Sequence, residues 1–285
     1  MRVDRVQPVR FERPFRLAAS EDVPELSVVI PLHNEAGNIG ALLGEVCTAL
    51  RGVVRFEVLC VDDASPDNTL EELRRSAADM PELRVLPLAE QSGQSTAIRV
   101  GVKAARGRWI ATLDGDGQND PADLPRLLAA RDAAGDDIRL VAGWRTKRRD
   151  RWDKRLASRI ANAVRQSLLH DATPDTGCGI KLFEREAFLD LPYFDHMHRY
   201  LPALMQRAGW RTISVPVNHR PRGAGASHYT NLGRALVGLS DLWGVAWLVR
   251  RNRVAKVLPS ALDSATLDSD QTPGERAIQM DRSSA

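Results

Sequence analysis

The chain has 285 residues, of which 43% are hydrophobic, enough to fill the core of one large α/β domain or two small ones. Its 40 Lys and Arg nearly balance its 37 Asp and Glu, and a net charge of +3 argues against a protein that coats nucleic acid. The arginines are unevenly spread, crowding into residues 145–165 and 250–253, which points to a local anionic partner.

Cys47, Cys60 and Cys178 are odd in number and lack a CxxC spacing. The first two sit in apolar segments, where a thiol behaves as a small hydrophobe, so the pattern is that of a reduced, cytosolic protein. The opening residues are rich in Arg, Pro and Glu, and no secretory leader is expected. No apolar run reaches the roughly 18 residues of a membrane span.

Residues 1–24 read as a flexible arm. From Leu26 onward, short apolar runs recur and each stops at polar residues: "LSVVIPLHNE", "FEVLCVDDAS", "LRVLPLAE", "RWIATLDGD", "IRLVAGWR" and, later, "RTISVPVNH". Between the early runs lie segments of helical period: "NIGALLGEVCTAL", with Ile39, Leu42, Leu43 and Val46 on one face; "DNTLEELRRSAADM"; and "QSTAIRVGVKAARG", closed by a glycine. Strands alternating with helices predict a mostly parallel sheet covered on both faces, with ligands at the carboxyl ends of the strands. Further on, "RWDKRLASRIANAVRQSLLH" predicts a helix with a cationic face, followed by the loop "DATPDTGCGIK" and a short helical stretch at "EREAFLDL". Residues 235–254 predict an amphipathic helix, and the Ser, Asp and Thr rich residues 255–285 a disordered tail. The main domain is thus expected over residues 25–234.

Three strand ends carry groups fit for chemistry: "PLHNE", "VDDASPDNT" and "DGDGQ". A single Asp after a strand is ordinarily a turn former or helix cap, which suits Asp67 and Asn68. Asp114 and Asp116 are different. Alternate residues of an extended chain point the same way, Gly115 and Gly117 permit sharp turns, and two adjacent carboxylates repel unless a cation neutralises them. Oxygen ligands of this kind suit Mg2+ or Mn2+ bridging carboxylate to a diphosphate.

Taken in order, "SVVIPLHNEAGNI", "VLCVDDASPDNT", "ATLDGDGQNDP", "AGWR", "PDTGCGIKLF" and "HRPRGAGASHYTN" resemble the GT-A domain of glycosyltransferase family 2 over about Leu26 to Asn231. Within it they most resemble the polyprenyl-phosphate sugar transferases of the dolichol-phosphate mannose synthase type. The resemblance implies a Rossmann-like α/β domain and donor contacts from Pro31, His33, Glu35 and Asp63. It also implies a metal site at Asp114, Asp116 and Gln118, in which Gly115 and Gly117 replace the usual alanine and leucine. Arg222 and His228 fall in a segment that folds over the donor diphosphate, with histidine at 228 where lysine is usual. Arg145, Lys154, Arg155, Ser158 and Arg159 match positions that hold an acceptor phosphate, and Thr176 and Gly177 shape the acceptor loop.

Family members that act on carbohydrate hydroxyls carry an "ED" pair and a "QxxRW"-like signature, neither of which occurs here. A lipid phosphate, with a second pKa of about 6, needs no base, only cations to hold it near the donor diphosphate. The implied reaction is an inverting transfer of mannose or another hexose from a GDP- or UDP-linked donor to a polyprenyl phosphate at the cytoplasmic membrane face, with Asp116, Arg145 and Arg222 at its centre. The alternatives are a soluble transferase onto a saccharide hydroxyl with Asp195 as base, and a non-catalytic scaffold that binds nucleotide sugar. The C-terminal helix, with Trp243 and Trp247 beside Arg250, Arg251 and Arg253, reads as an interfacial helix, a dock onto a membrane partner, or a buried core helix.

Overall fold

In the computed structural model the described residues are 23–146, 163–171, 173–221 and 231–253. The expected arm and tail, and Lys154, Arg155, Ser158, Arg159, Arg222 and His228, lie outside them. The chain divides into a compact unit, Ala19–Asn252, and a second unit, Met1–Ala18 with Arg253–Ala285, of which Arg253 alone is described.

Seven strands form one sheet: β1 (Leu26–Leu32), β2 (Phe56–Asp62), β3 (Leu83–Pro87), β4 (Trp109–Thr112), β5 (Ile138–Arg145), β6 (Lys181–Glu184) and β7 (Arg211–Val217). Their order is β3-β2-β1-β4-β6-β5-β7. All neighbours are parallel except β6, which runs antiparallel between β4 and β5. The helices are α1 (Ile39–Leu50), α2 (Thr69–Asp79), α3 (Gln94–Ala104), α4 (Leu124–Ala134), α5 (residues 163–169), α6 (Arg185–Leu189), α7 (Leu201–Arg207) and α8 (Asn231–Arg251).

Central strands buried on both faces are mostly apolar, as covered parallel sheets require, and the buried Ser27 of β1 and Glu57 of β2 are hydrogen-bonded to each other. Successive residues of β1 therefore feed two cores. Val28 and Ile30 pack with Leu42, Leu43 and Val46 of α1 and Leu127 of α4, whereas Val29 packs with Ile98 of α3, Leu204 of α7 and Val245 of α8. Cys47, Cys60 and Cys178 are free and buried, as small hydrophobes should be.

Several local readings change. β6 falls in "KLFE", a strand of four residues, too short for a period to show beside the loop that precedes it. It joins the sheet because β4 and β5 leave a gap between them that only an extended segment can fill with backbone hydrogen bonds. Gly107 does not close α3, which ends at Ala104. Its need for glycine lies elsewhere: a Cβ there would stand 2.7 Å from the Ser27 backbone nitrogen. Asn68 occupies the cap of α2 without a side-chain bond, while Asp67 accepts from the Thr69 and Ala36 amides at 3.0 and 3.2 Å. The C-terminal helix has one side in the core and one side in solvent. Leu242, Val245 and Ala246 are buried in the second core, while Trp243 and Trp247 face outward.

Candidate active site at the carboxyl ends of the strands

The polar residues after β1, β2 and β4 converge at one end of the sheet because those strands are adjacent and parallel. After β1, His33 donates from Nδ1 to the Asp63 carbonyl at 2.8 Å and accepts from the Asn34 amide at Nε2, so its ring is held across the ends of β1 and β2. Glu35 accepts from Asn38 Nδ2 at 2.9 Å, and its own amide donates to Thr69.

Asp63 is buried, and its two carboxylate oxygens take the backbone amides of Ser92 and Gly93 at 2.7 and 2.9 Å. Its first task is thus to fix the turn that starts α3, a role the sequence did not suggest. That turn delivers Gln94, whose Nε2 donates to Asp114 Oδ1 at 2.9 Å.

Asp114 follows β4, where its amide donates to Asn119 and Thr112 donates to the Gly179 carbonyl at 2.7 Å. Asp116 Oδ1 accepts from the Gln118 amide in a tight turn, in which Gly117 has φ +72°. Gln118 joins the loop through its backbone, its carbonyl accepting from Arg220. Burial and the Asp116 charge push the Asp114 carboxyl up, partly offset by the charges of Lys181 and Arg145. Such a pair fits a hard divalent cation, which would offset both the burial and the repulsion that raise it. Among the described residues no group of three or more His, Cys, Asp or Glu could cage a metal. An ion here would therefore draw the rest of its shell from water and phosphate oxygens, the habit of Mg2+ in nucleotide sites.

Gly179 explains how close this packing is. A Cβ on it would stand 2.1 Å from Asp114 Oδ2 and 2.6 Å from Asn119 Oδ1, so only glycine lets the loop before β6 pass the carboxylate. Lys181, next along, is buried, donates to the Cys178 carbonyl, and is pushed down by burial against the pull of nearby anions. With Pro31, Gln94, Asp114, Gly179 and His198 it lines a narrow pocket. His198 shares a 2.7 Å hydrogen bond with Ser95 and is held well below the ordinary histidine range by burial, with the Lys181 charge adding to it. It is neutral at pH 7.

Arg145, at the end of β5, grips Asp175 through Nε at 2.6 Å and Nη2 at 2.9 Å. Burial works against its charge, but the Asp175 hydrogen bonds and charge raise it. Gly177 permits this fork, since a Cβ would lie 3.2 Å from Nη2. Thr176 accepts from the buried Arg165, which pairs with Asp171 at 3.1 Å. Asp175 and Arg165 were not picked out from the sequence, although "PDTGCG" carried the first of them in plain view. The Asp114–Asn119 loop is braced from the other side. His219 bridges to Asn119, the Arg220 amide reaches Gln118, and Arg220 pairs with Asp120 at 2.5 Å and Glu45 at 2.6 Å. Asp195 is exposed beside the α3 start, its Oδ1 accepting from the His196 amide and lying 3.6 Å from where a Cβ on Gly93 would stand.

Residues 27–191, more than half of the chain, match Glycosyl transferase family 2. The chain belongs to glycosyltransferase family 2. Two curated relatives of this glycosyltransferase bear it out. The dodecaprenyl-phosphate galacturonate synthase of Rhizobium johnstonii is 32% identical over 79% of this chain and 68% of its own length. The undecaprenyl-phosphate 4-deoxy-4-formamido-L-arabinose transferase of Edwardsiella ictaluri is 33% identical over 72% of this chain and 62% of its own length, so the chain spans under two thirds of that relative.

Among solved structures, glucosyl-3-phosphoglycerate synthase of Mycobacterium tuberculosis with Mg2+ and UDP superposes with TM-score 0.55 at 19% identity, over 79% of this chain and 76% of its own. The same enzyme with Mn2+, UDP and phosphoglyceric acid gives 0.56 at 20% identity, over 81% and 80%. At that identity the likeness is one of fold, and the glycosyltransferase has the GT-A architecture expected of it: an α/β domain on a mostly parallel sheet.

Proposed function

We propose that the protein transfers a sugar, mannose or another hexose, with inversion from a GDP- or UDP-linked donor to a polyprenyl phosphate at the cytoplasmic face of the membrane. The observation that carries this reading is the pairing of two unlike sites at one sheet end. One is the Asp114 and Asp116 pair with its raised carboxyl, the other the Arg145 cation held in a fork. Both curated relatives are polyprenyl-phosphate sugar transferases by name.

Mg2+ or Mn2+ bound by Asp114 and Asp116, with Gln118 beside them, would neutralise charge on the departing diphosphate. The chain's own residues do the rest. Pro31, His33 and Glu35 line the donor side, Asp63 fixes the turn that carries Gln94, and Gln94 orients Asp114. Arg145, Lys154, Arg155, Ser158 and Thr176 hold the acceptor phosphate, which is anionic at neutral pH and attacks the anomeric carbon as the bond to the nucleoside diphosphate breaks. Arg222 and His228 act on the diphosphate from the segment after β7, whose root Arg220 is tied to the metal loop. The Asp175 carboxylate takes Nε and Nη2 of Arg145 and so fixes the plane of the guanidinium.

The position of Asp195 beside Gly93 favours one second reading, a hydroxyl acceptor with that carboxylate as base. One experiment separates them. The protein is incubated with Mg2+ or Mn2+, a panel of labelled nucleotide sugars, and either a short polyprenyl phosphate or free saccharides. Label extracted into organic solvent, undiminished in Asp195→Asn, is the expected result. Label that stays in water-soluble saccharide and vanishes in Asp195→Asn would establish the second reading instead.

A further inference from the structure

We infer that the outer face of α8 is a docking surface for an anionic lipid bilayer. This goes beyond the proposed reaction and rests on it only for its purpose. Leu239, Trp243 and Trp247 stand four residues apart and are 52, 60 and 59% exposed, which puts them in one stripe on the side of the helix away from the core. Leu242, Val245 and Ala246, at most 8% exposed, anchor the opposite side. The helix is therefore already docked, and the tryptophans are not needed to hold it there.

What the stripe fits is decided by its charge. Small Ser240 and Gly244 lie beside it, and Arg250 and Arg251 end it, all exposed. Arg251 lies over the Trp247 ring at 5.7 Å. The one acid of this stretch, Asp241, is turned to His196 Nδ1 at 3.0 Å. A described outer face of bulky apolar side chains with a basic end and no carboxylate matches rings seated at headgroup level and guanidinium groups reaching lipid phosphate. In a second copy the described outer face of α8 would itself offer those arginines no carboxylate, the exposed Asp195 beside the start of the stripe belonging to a neighbouring loop.

The geometry of the helix gives the surface a direction. Tyr200, at the start of α7, donates to the Gly238 carbonyl at 3.2 Å, and Arg207, at its end, donates to that of Leu248 at 2.9 Å, so α8 runs parallel to α7. α7 leads back into β7, a strand parallel to β5, and both helices therefore run from the carboxyl end of the sheet to its amino end. The stripe begins beside the loop of Asp195 and His196, which packs on the start of α3 next to Gln94, and extends about 18 Å. A bilayer lying along it would reach the rim of the site.

The test uses the full chain, without nucleotide or acceptor, and vesicles of phosphatidylcholine with or without one third phosphatidylglycerol. The protein is expected to sediment with the anionic vesicles, weakly with the neutral ones, and less at high salt. Trp243→Ala with Trp247→Ala should keep the circular dichroism spectrum and lower partitioning by about tenfold or more. Arg250→Gln with Arg251→Gln should remove most of the salt dependence. Transfer to a water-soluble short prenyl phosphate should be unchanged in the tryptophan variant, while transfer to a long-chain acceptor in vesicles falls with binding. The inference is overturned by equal vesicle binding in a folded tryptophan variant, by no vesicle binding in the wild type, or by a wild-type dimer or protein complex that the same variant abolishes. Absence of transfer by a wild type that still binds vesicles would count against the proposed reaction and leave the lipid surface standing.

Discussion

Two carboxylates at opposite ends of the sheet show what separates structure from chemistry in this molecule. Glu57, near the amino end of β2, is 1% exposed, yet burial is outweighed by donors: the Arg106 amide at 2.7 Å, Arg84 at 2.8 Å, Ser27 at 2.7 Å and Arg106 Nε at 3.0 Å. Its carboxyl is held below the ordinary range. Asp114, at the carboxyl end of β4, is pushed the other way by burial and by Asp116. The protein finishes the hydrogen bonding of one carboxylate itself and leaves a repulsion at the other. Where a fold tolerates such a conflict, a ligand that relieves it is the economical explanation.

The largest effect on turnover is expected at the unfinished end. Asp116→Ala or Asp114→Asn should lower transfer by about a thousandfold or more, since metal-held charge stabilisation amounts to several kcal/mol. Melting temperature should hold or rise, because the repulsion goes with the carboxylate. Near wild-type turnover in either variant would remove the metal role.

Gly179→Ala comes next. The added methyl would displace Asp114, and a shift of about 1 Å costs roughly a hundredfold in rate. A crystal structure of the variant would show whether Asp114 moved; unchanged turnover with a moved carboxylate would mean that its placement is not critical.

Arg145→Ala should cost ten- to about a hundredfold in transfer at saturating donor, with nucleotide affinity unchanged, and Arg145→Lys should recover part of it. Because Asp175 takes the fork in the resting protein, Asp175→Asn should also lower transfer by loosening the guanidinium, raising the acceptor KM more than the donor KM. Equal loss of nucleotide affinity would put Arg145 at the donor instead.

The smallest effect on turnover belongs to Glu57→Gln, which should leave kcat within about twofold while costing about 3 kcal/mol of stability, the low end for one partner of a buried ion pair because Arg84 and Arg106 reach solvent. The Glu57 carboxyl is lowered on folding, so its contribution is present above the unfolded pKa of about 4.3 and is lost as pH falls through the folded value. Denaturant melts should therefore show the two proteins converging in acid. A constant gap at every pH would mean that packing rather than charge sets the cost.

What the sequence shows of this molecule follows the range of its interactions. Apolar runs and helical periods report burial directly, which is why β1, β2, β4, β5 and α1 are legible. So is the DGDGQ loop, where spacing along the chain decides which carboxylates meet. β6 is not, because four residues carry no period and its place is set by the gap between strands distant in sequence. The partners of site residues are hidden for the same reason. Nothing local in "AGWR" says that Arg145 will meet Asp175, or in "EQSGQS" that Gln94 will reach Asp114, 20 residues on. Gly179 is the instructive miss, since its demand for glycine comes from a carboxylate across the pocket rather than from its own backbone.

Thermal melting with Mn2+ and a nucleoside diphosphate, UDP or GDP, tests the unfinished carboxylate most directly, at pH 5 and pH 8, on wild type and Asp114→Asn. In the metal-free wild type the folded Asp114 holds its proton to a higher pH than the unfolded chain, so this residue's contribution to stability is lost as pH rises through its folded pKa. A bound cation should restore it. The predicted result is a rise in melting temperature on adding Mn2+ and nucleotide that is larger at pH 8 than at pH 5 and absent in Asp114→Asn. An equal rise in the variant, or none in the wild type at either pH with either nucleotide, would contradict the account.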